Sequence, residues 1–310
     1  MQCKICQNPV QKAFEATILE RYLEPFYKCE RCGFLSASEV HWLSQAYTNA
    51  INASDTGIVA RNLHLYKIVS VIACALFGFS KSVIGGGART RLDSNPDSNP
   101  DSNATDSSST SQGAHSRDTH SHSTHSPLLV DFGGGTGLLV RLLRDAGIEA
   151  LWQDEYCENL FARGFEWDHH AKPTLLSSFE VFEHLPNPME QISAMLTLCP
   201  NLLFSTELLP CPIPPHQGKE AWWYYGFAHG QHISFYARET LEYIARQQGV
   251  FLVSHNGLHL FSQRKISPFV FATLVRLAHR GAFWILKRLL GSKTLSDHQL
   301  LSPSSRPAPN

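Results

Sequence analysis

From residue 128 onward, short apolar runs alternate with amphipathic stretches. Residues 128–132 read as a strand, 136–146 as a helix closed by Gly147, and 148–152 as a second strand. A third strand follows Pro173 and ends near Phe179, then a helix over 188–198 and a strand over 201–206. A helix over 238–248 is stopped by Gly249, and two short strands follow near 250–253 and 258–261. Such alternation predicts a doubly wound α/β sheet with helices on both faces. Ligands of such sheets lie at the carboxyl ends of the strands.

The flanking segments follow other patterns. Residues 38–79 read as helical, with Leu63, Tyr66, Val69 and Ile72 recurring at intervals of three. Residues 85–127 contain the repeat DSNPDSNPDSN and a Ser/Thr/His tract with almost no large apolar side chain. Such a stretch cannot offset its own chain entropy and reads as a disordered insertion. Its His115, His120, His122 and His125 read as a solvated His-rich linker. Beyond residue 263 the pattern is a basic amphipathic helix, divisible at Gly281, followed by a disordered tail. With Arg276, Arg280, Lys287 and Arg288, that helix suits peripheral contact with an anionic membrane, or packing on the main domain or a second subunit.

Cysteine spacing adds a module to the front. Cys3, Cys6, Cys29 and Cys32 form two C-x2-C knuckles, the donor set of a closed tetrahedral structural zinc site. Gly33 suits the tight turn after the second knuckle. The expected organisation is zinc knuckles over 1–36, a helical cap over 37–84, the insertion over 85–127, the α/β domain over 128–262, and the helix and tail over 263–310.

Composition narrows the class. Hydrophobic residues make up 43% and charged residues 17%, an ordinary globular balance. The formal net charge of -1 provides no global field toward nucleic acid or acidic membranes. The first residues show no secretory pattern, and the most apolar stretch, 68–79, is too short to span a bilayer. The expectation is a cytoplasmic protein whose cysteines stay reduced.

The chemistry centres on DFGGGTG, residues 131–137. Its third glycine misses the place that the dinucleotide fingerprint G-x-G-x-x-G requires, and no Lys-Ser or Lys-Thr follows as in a P-loop. What remains is an acid at a strand end and an alternating-glycine turn into a helix. Those residues resemble motif I of the class I S-adenosylmethionine (SAM)-dependent methyltransferases, which implies a Rossmann-like, mostly parallel seven-stranded sheet. The resemblance assigns Asp131, Phe132, Gly133, Gly135, Gly137 and Phe179 to the cofactor, and Asp154 past the second strand to its ribose hydroxyls. Asp154 as a local helix N-cap is the structural alternative. Lys172-Pro173 stands where many relatives carry an acid, which leaves the adenine contact unassigned.

The run FEVFEH, 179–184, resembles the E-V-x-E-H subgroup that includes ubiquinone-pathway-type O-methyltransferases. If the chain turns helical there, Glu180 shares a face with Glu183 and His184. The resemblance implies that Glu180, Glu183, His184 and a later His232 hold a divalent metal that activates an acceptor hydroxyl. A metal-free reading makes His184 or His232 a general base, and a structural reading makes Glu183 or His184 a helix cap. Glu183, His184 and His232 are therefore the candidate catalytic residues. AWWYYGF, 221–227, reads either as an aromatic flap over the acceptor or as a packed flap, with Glu207 facing the cleft. The function expected is O-methylation of a small metabolite, sugar or glycan precursor. The alternatives are an inactive methyltransferase-fold, zinc-bearing binding protein, or an RNA methyltransferase, against which the scattered basic residues of the knuckles argue.

Overall fold

The computed structural model describes residues 1–48, 55–80 and 126–302. The tandem repeat, the His-rich tract and the end of the chain from residue 303 lie outside the described residues. So do 49–54 and 81–84 of the expected helical cap.

The chain opens with a hairpin, β1 (Gln11–Ile18) and β2 (Tyr22–Lys28), followed by β3 (Leu35–Ala37), α1 (Leu43–Ala46) and α2 (Ile58–Phe77). The main domain runs β4 (Leu129–Phe132), α3 (Leu138–Asp145), β5 (Ala150–Gln153), β6 (Leu175–Ser178), α4 (Pro188–Leu198) and β7 (Leu202–Ser205). It continues with β8 (Ser234–Phe235), α5 (Arg238–Gln247), β9 (Phe251–His255) and β10 (Leu258–Ser262). Three helices close it: α6 (Pro268–Leu277), α7 (Phe283–Leu290) and α8 (Thr294–Leu301).

The main sheet has the order β5-β4-β6-β7-β10-β9. Strands β5, β4, β6 and β7 are parallel, while β10 and β9 pair antiparallel. The central strands begin on apolar residues because both faces are covered, and turn polar toward their carboxyl ends at Asp131, Ser177, Ser178 and Ser205. Leu129, Leu175 and Leu203 point into one core with α2, α3 and α6. Val130, Leu176 and Leu202 point into the other, with α4 and α5.

Three expectations need correction. The described sheet has six strands, not seven. At the outer edge of β5, Glu166 makes only an isolated parallel bridge with Trp152, through Trp152 N donating to Phe165 O (2.8 Å) and Trp167 N donating to Trp152 O (2.9 Å). Second, the apolar helix before the insertion is longer than the stretch 68–79 suggested. α2 covers 20 residues, enough to cross a membrane by length and composition, as is Pro268–Leu290. Ile68, Val69, Val71 and Ile72 of α2 are nevertheless buried in the first core. Third, the segment 38–57 is not one helix: its described part holds only the four-residue α1.

The knuckle region also forms a sheet. β1, β2 and β3 pair antiparallel, and β3 pairs with β8, with Leu35 opposite Phe235. The small sheet is thus completed by a strand from the main domain, about 200 residues away.

Candidate active site

The glycine loop leaves the carboxyl end of β4 and enters α3, with Gly133, Gly135 and Gly137 all in the left-handed region (φ 74°, 54° and 81°). The neighbours of two of them leave no room for a side chain. A Cβ on Gly133 would lie 2.5 Å from Val181 Cγ2, and one on Gly137 would lie 2.6 Å from Asn159 Oδ1. Gly135 differs, since nothing lies within 4 Å of the place a Cβ would take. The loop therefore presses on the FEVFEH turn at one end and opens in the middle, where backbone can approach a ligand.

Asp131 is buried, and Ser177 Oγ donates to its Oδ1 at 2.6 Å. Burial, with Asp154 nearby, outweighs that bond and pushes its pKa up to about 7. Asp154 follows β5. Its Oδ2 accepts from Gly135 N at 2.8 Å, and its Oδ1 accepts from Tyr156 N (2.7 Å) and Cys157 N (2.9 Å). The carboxylate thus shapes the glycine loop and its own turn, with lone pairs left for a hydroxyl donor. Phe132 and Phe179 are half-buried and pack against the two cores on either side of the sheet.

After β6 the chain does not form the expected α-helical turn. Glu180 takes a positive φ of 55°, and only Phe182–His184 winds into a 3-10 turn. Ser205 Oγ donates to the Glu180 carboxylate at 2.6 Å, and Glu180 N donates back to Ser205 at 2.9 Å. Glu180 is consequently absent from the cluster of ligand-type atoms that Glu183, His184 and His232 form, all within 4.8 Å of one another.

His232 reaches this place because its loop is laced to the turn. Ile233 N donates to Glu183 O at 2.9 Å, and Ser234 Oγ donates to Leu185 O at 2.8 Å. His184 Nδ1 contacts Gln231 O at 3.1 Å, and His232 Nδ1 contacts Tyr224 O at 2.6 Å. A carbonyl only accepts, so each Nδ1 carries the proton and each Nε2 is left bare. Burial holds both rings neutral, His184 down to about 3 and His232 down to about 4. Glu183 is fully enclosed, and among the described residues neither carboxylate oxygen has a partner at good hydrogen-bond geometry, although the Tyr224 hydroxyl is near enough to stabilise its charge in part. That hydroxyl pairs with Thr206 Oγ1 at 3.2 Å. Burial, reinforced by Glu180, pushes the Glu183 pKa well up. An under-partnered buried carboxylate beside two bare imidazole nitrogens fits a divalent cation.

Several residues at this site have no sequence signal. Tyr47, just past α1, stacks on Tyr156 (5.8 Å between centroids) and meets His184 edge-on at 6.1 Å. Arg61 of α2 is paired with Asp55 through two bonds of 2.7 and 3.2 Å and lies within electrostatic reach of Glu180 and Glu183. These residues come from the helical cap, which therefore helps line the cleft.

The aromatic stretch divides. Trp223 is exposed, while Tyr224 and Tyr225 are buried with Phe26, Trp42 and Phe235, so most of the flap packs on the small sheet. Glu207 is exposed and lies against Gly257 rather than in the cleft.

At the other end of the small sheet, the four knuckle sulfurs converge. Cys3 Sγ lies 3.6 Å from Cys32 Sγ and Cys6 Sγ lies 3.4 Å from Cys29 Sγ, with all four atoms within 4.8 Å and buried. Gly33, at φ 74°, has no room for a side chain because Ala237 Cβ would lie 2.7 Å away.

A glycine loop at the carboxyl end of a parallel sheet, with acids at two strand ends, is where doubly wound sheets bind their ligands. Residues 122–255, less than half of the chain, match the family model described as Methyltransferase domain. Solved structures give partial likenesses. Human N-acetylserotonin methyltransferase in complex with SAM aligns at 15% identity over 45% of this chain and 48% of that one, with a TM-score of 0.35. CalO1, a methyltransferase in calicheamicin biosynthesis in its SAH-bound form, aligns at 17% identity over 43% and 47% (TM-score 0.31). An O-methyltransferase family 2 protein from Planctomyces limnophilus, in complex with apigenin, aligns at 15% identity over 46% and 51% (TM-score 0.32). The chain spans about half the length of these solved chains, and at such scores they carry no functional argument. No curated protein matches the chain.

Proposed function

We propose that this chain is a SAM-dependent O-methyltransferase acting on a small metabolite, a sugar or a glycan precursor. The observation that carries the reading is the contact of Gly133 with Val181, which sets the glycine loop against the turn bearing Glu183 and His184. A cofactor on the loop would place its methyl group toward the Glu183–His184–His232 cluster. The open backbone at Gly135 and the Asp131 carboxylate would meet the donor, and Asp154, whose carboxylate already accepts from Gly135 N, would offer its remaining lone pairs to the ribose hydroxyls. The acceptor oxygen attacks the methyl carbon in line, the carbon–sulfur bond breaks, and the sulfonium leaves as a neutral thioether. The acceptor proton would pass to solvent water, its loss eased by a cation held by Glu183, His184 and His232.

Glu183, His184 and His232 would hold a divalent cation, whose Lewis acidity lowers the pKa of a bound hydroxyl. The convergence of the Glu183 carboxylate with the two unprotonated Nε2 atoms, within 4.8 Å of one another, supports this reading over a single general-base histidine. Cys3, Cys6, Cys29 and Cys32 would hold a structural zinc ion, closed to substrate.

Metal analysis on the full chain tests both sites. Two metals per chain, falling to one in His232→Ala with SAM binding retained, is the expected result. A wild-type content of one, with methyl transfer insensitive to chelators, would contradict the catalytic metal.

A further inference from the structure

Helices α6 and α7 divide their side chains in an unusual way. Their inner face is packed: Phe271, Ala272, Val275, Ala278, Phe283 and Leu290 are buried. Their outer face is not the polar face of a surface helix. Phe269 is 76% exposed, Trp284 55%, Ile285 64% and Leu289 65%. Among them stand Arg276, Arg280 and Arg288, all exposed, and Lys287, half-buried. None of these four forms an ion pair among the described residues. Lys67 of α2 and Lys287 both lie over the Trp284 ring, at 5.8 and 5.9 Å.

The charge is of one sign. No Asp or Glu occurs between Glu242 and Asp297. A second copy meeting this face with its own would set cation against cation, which disfavours self-association. The insertion offers little cover, since among residues 81–125 only Val83, Ile84 and Leu92 are large and apolar. The face needs a partner that is apolar beneath and anionic at its surface.

Pro268–Leu290 is long and apolar enough to cross a bilayer by length and composition, but two features fit a different placement. Its inner face is committed to the protein core, and the helix bends where Gly281 takes φ 107°. A bent helix with one face already packed does not suit a bilayer span and suits lying along an interface. We propose that the α6–α7 face docks the protein on an anionic phospholipid surface. Phe269, Trp284, Ile285 and Leu289 enter the headgroup boundary, and Arg276, Arg280, Lys287 and Arg288 meet lipid phosphates.

The test is flotation of the full chain with vesicles of phosphatidylcholine alone, or with about a third phosphatidylglycerol. Binding to the anionic vesicles only, weakened by salt, is expected. Arg276→Glu/Arg288→Glu and Trp284→Ser/Ile285→Ser should each weaken it about tenfold or more, with melting temperature and SAM binding unchanged. Leu289→Ser, a milder change at an exposed position, serves if a double variant fails to fold. Absence of binding to anionic vesicles, or binding that both double variants retain, overturns the proposal. So does a concentration-dependent dimer that Trp284→Ser/Ile285→Ser dissolves and vesicles do not compete with.

Discussion

Asp131 illustrates how one buried group ties fold to ligand. The folded protein holds its proton more tightly than an unfolded chain would, because its pKa is raised from 3.8 to about 7. Its contribution to stability is therefore full below the ordinary carboxylate range and declines as pH rises through about 7. A cationic ligand beside Asp131 favours the ionised form and pulls the pKa back down. SAM affinity should accordingly rise with pH until about 7 and level off above it. Calorimetry at pH 6 in two buffers of different ionisation enthalpy should show net proton release on binding, which Asp131→Asn should abolish. Equal heats in both buffers for the wild type would contradict this role.

At the scale of elements, two fastenings hold the site in place. The first pins α8 to α3. Arg144 is buried and donates to both oxygens of Asp297 at 2.8 and 2.9 Å, with its guanidinium 3.7 Å over the Phe165 ring. Its charge holds the Asp297 pKa below the usual range, so this stability is present at neutral pH and lost as pH falls through the depressed value. Asp297→Ala should cost about 1–2 kcal/mol in urea denaturation at neutral pH, because it removes one of the two carboxylates on a buried cation that keeps Glu149 and the Ala150 carbonyl. The second fastening is the β3–β8 pairing, which joins the four-cysteine module to the strand two residues past His232. Cys29→Ser should raise amide exchange in residues 22–37 and 222–236 together. Loosening of the first segment alone would show that the module does not brace the site.

The same elements show what a sequence can and cannot reveal. The buried strands β4, β6 and β7 were legible because apolar runs between turn residues have few other uses, and α4 was bounded by its N-terminal proline. The β1–β2 hairpin left no such trace. It is short of buried side chains, β2 contains Pro25, and the sheet is completed from residue 234 onward. The cluster of Glu183, His184 and His232 was legible as a motif plus a later histidine. The expected i, i+3, i+4 face was not realised, because the positive φ of Glu180 turns its carboxylate to Ser205. Tyr47 and Arg61 reach the cleft only through tertiary packing, which no local pattern encodes.

For the whole molecule, the proposed roles are a four-cysteine module that braces the site, an α/β domain that carries methyl transfer, and an α6–α7 face that docks on a lipid surface. Each part is separable by experiment, and the methyl-transfer reading depends on the glycine loop holding SAM. Gly135 offers a control beside the open space, since an added methyl group meets no neighbouring side chain within 4 Å, while the left-handed φ of 54° costs an alanine about 1–2 kcal/mol, which the melting temperature of the variant reads out. The direct measurement is calorimetric titration of the full chain and of Gly135→Ala with SAM and its demethylated product. The account predicts binding of both at one site per wild-type chain, and at least tenfold weaker binding in a variant that still melts cooperatively, a loss of about 1.4 kcal/mol. A wild-type chain that binds neither compound, or a variant that binds them equally well, would contradict it.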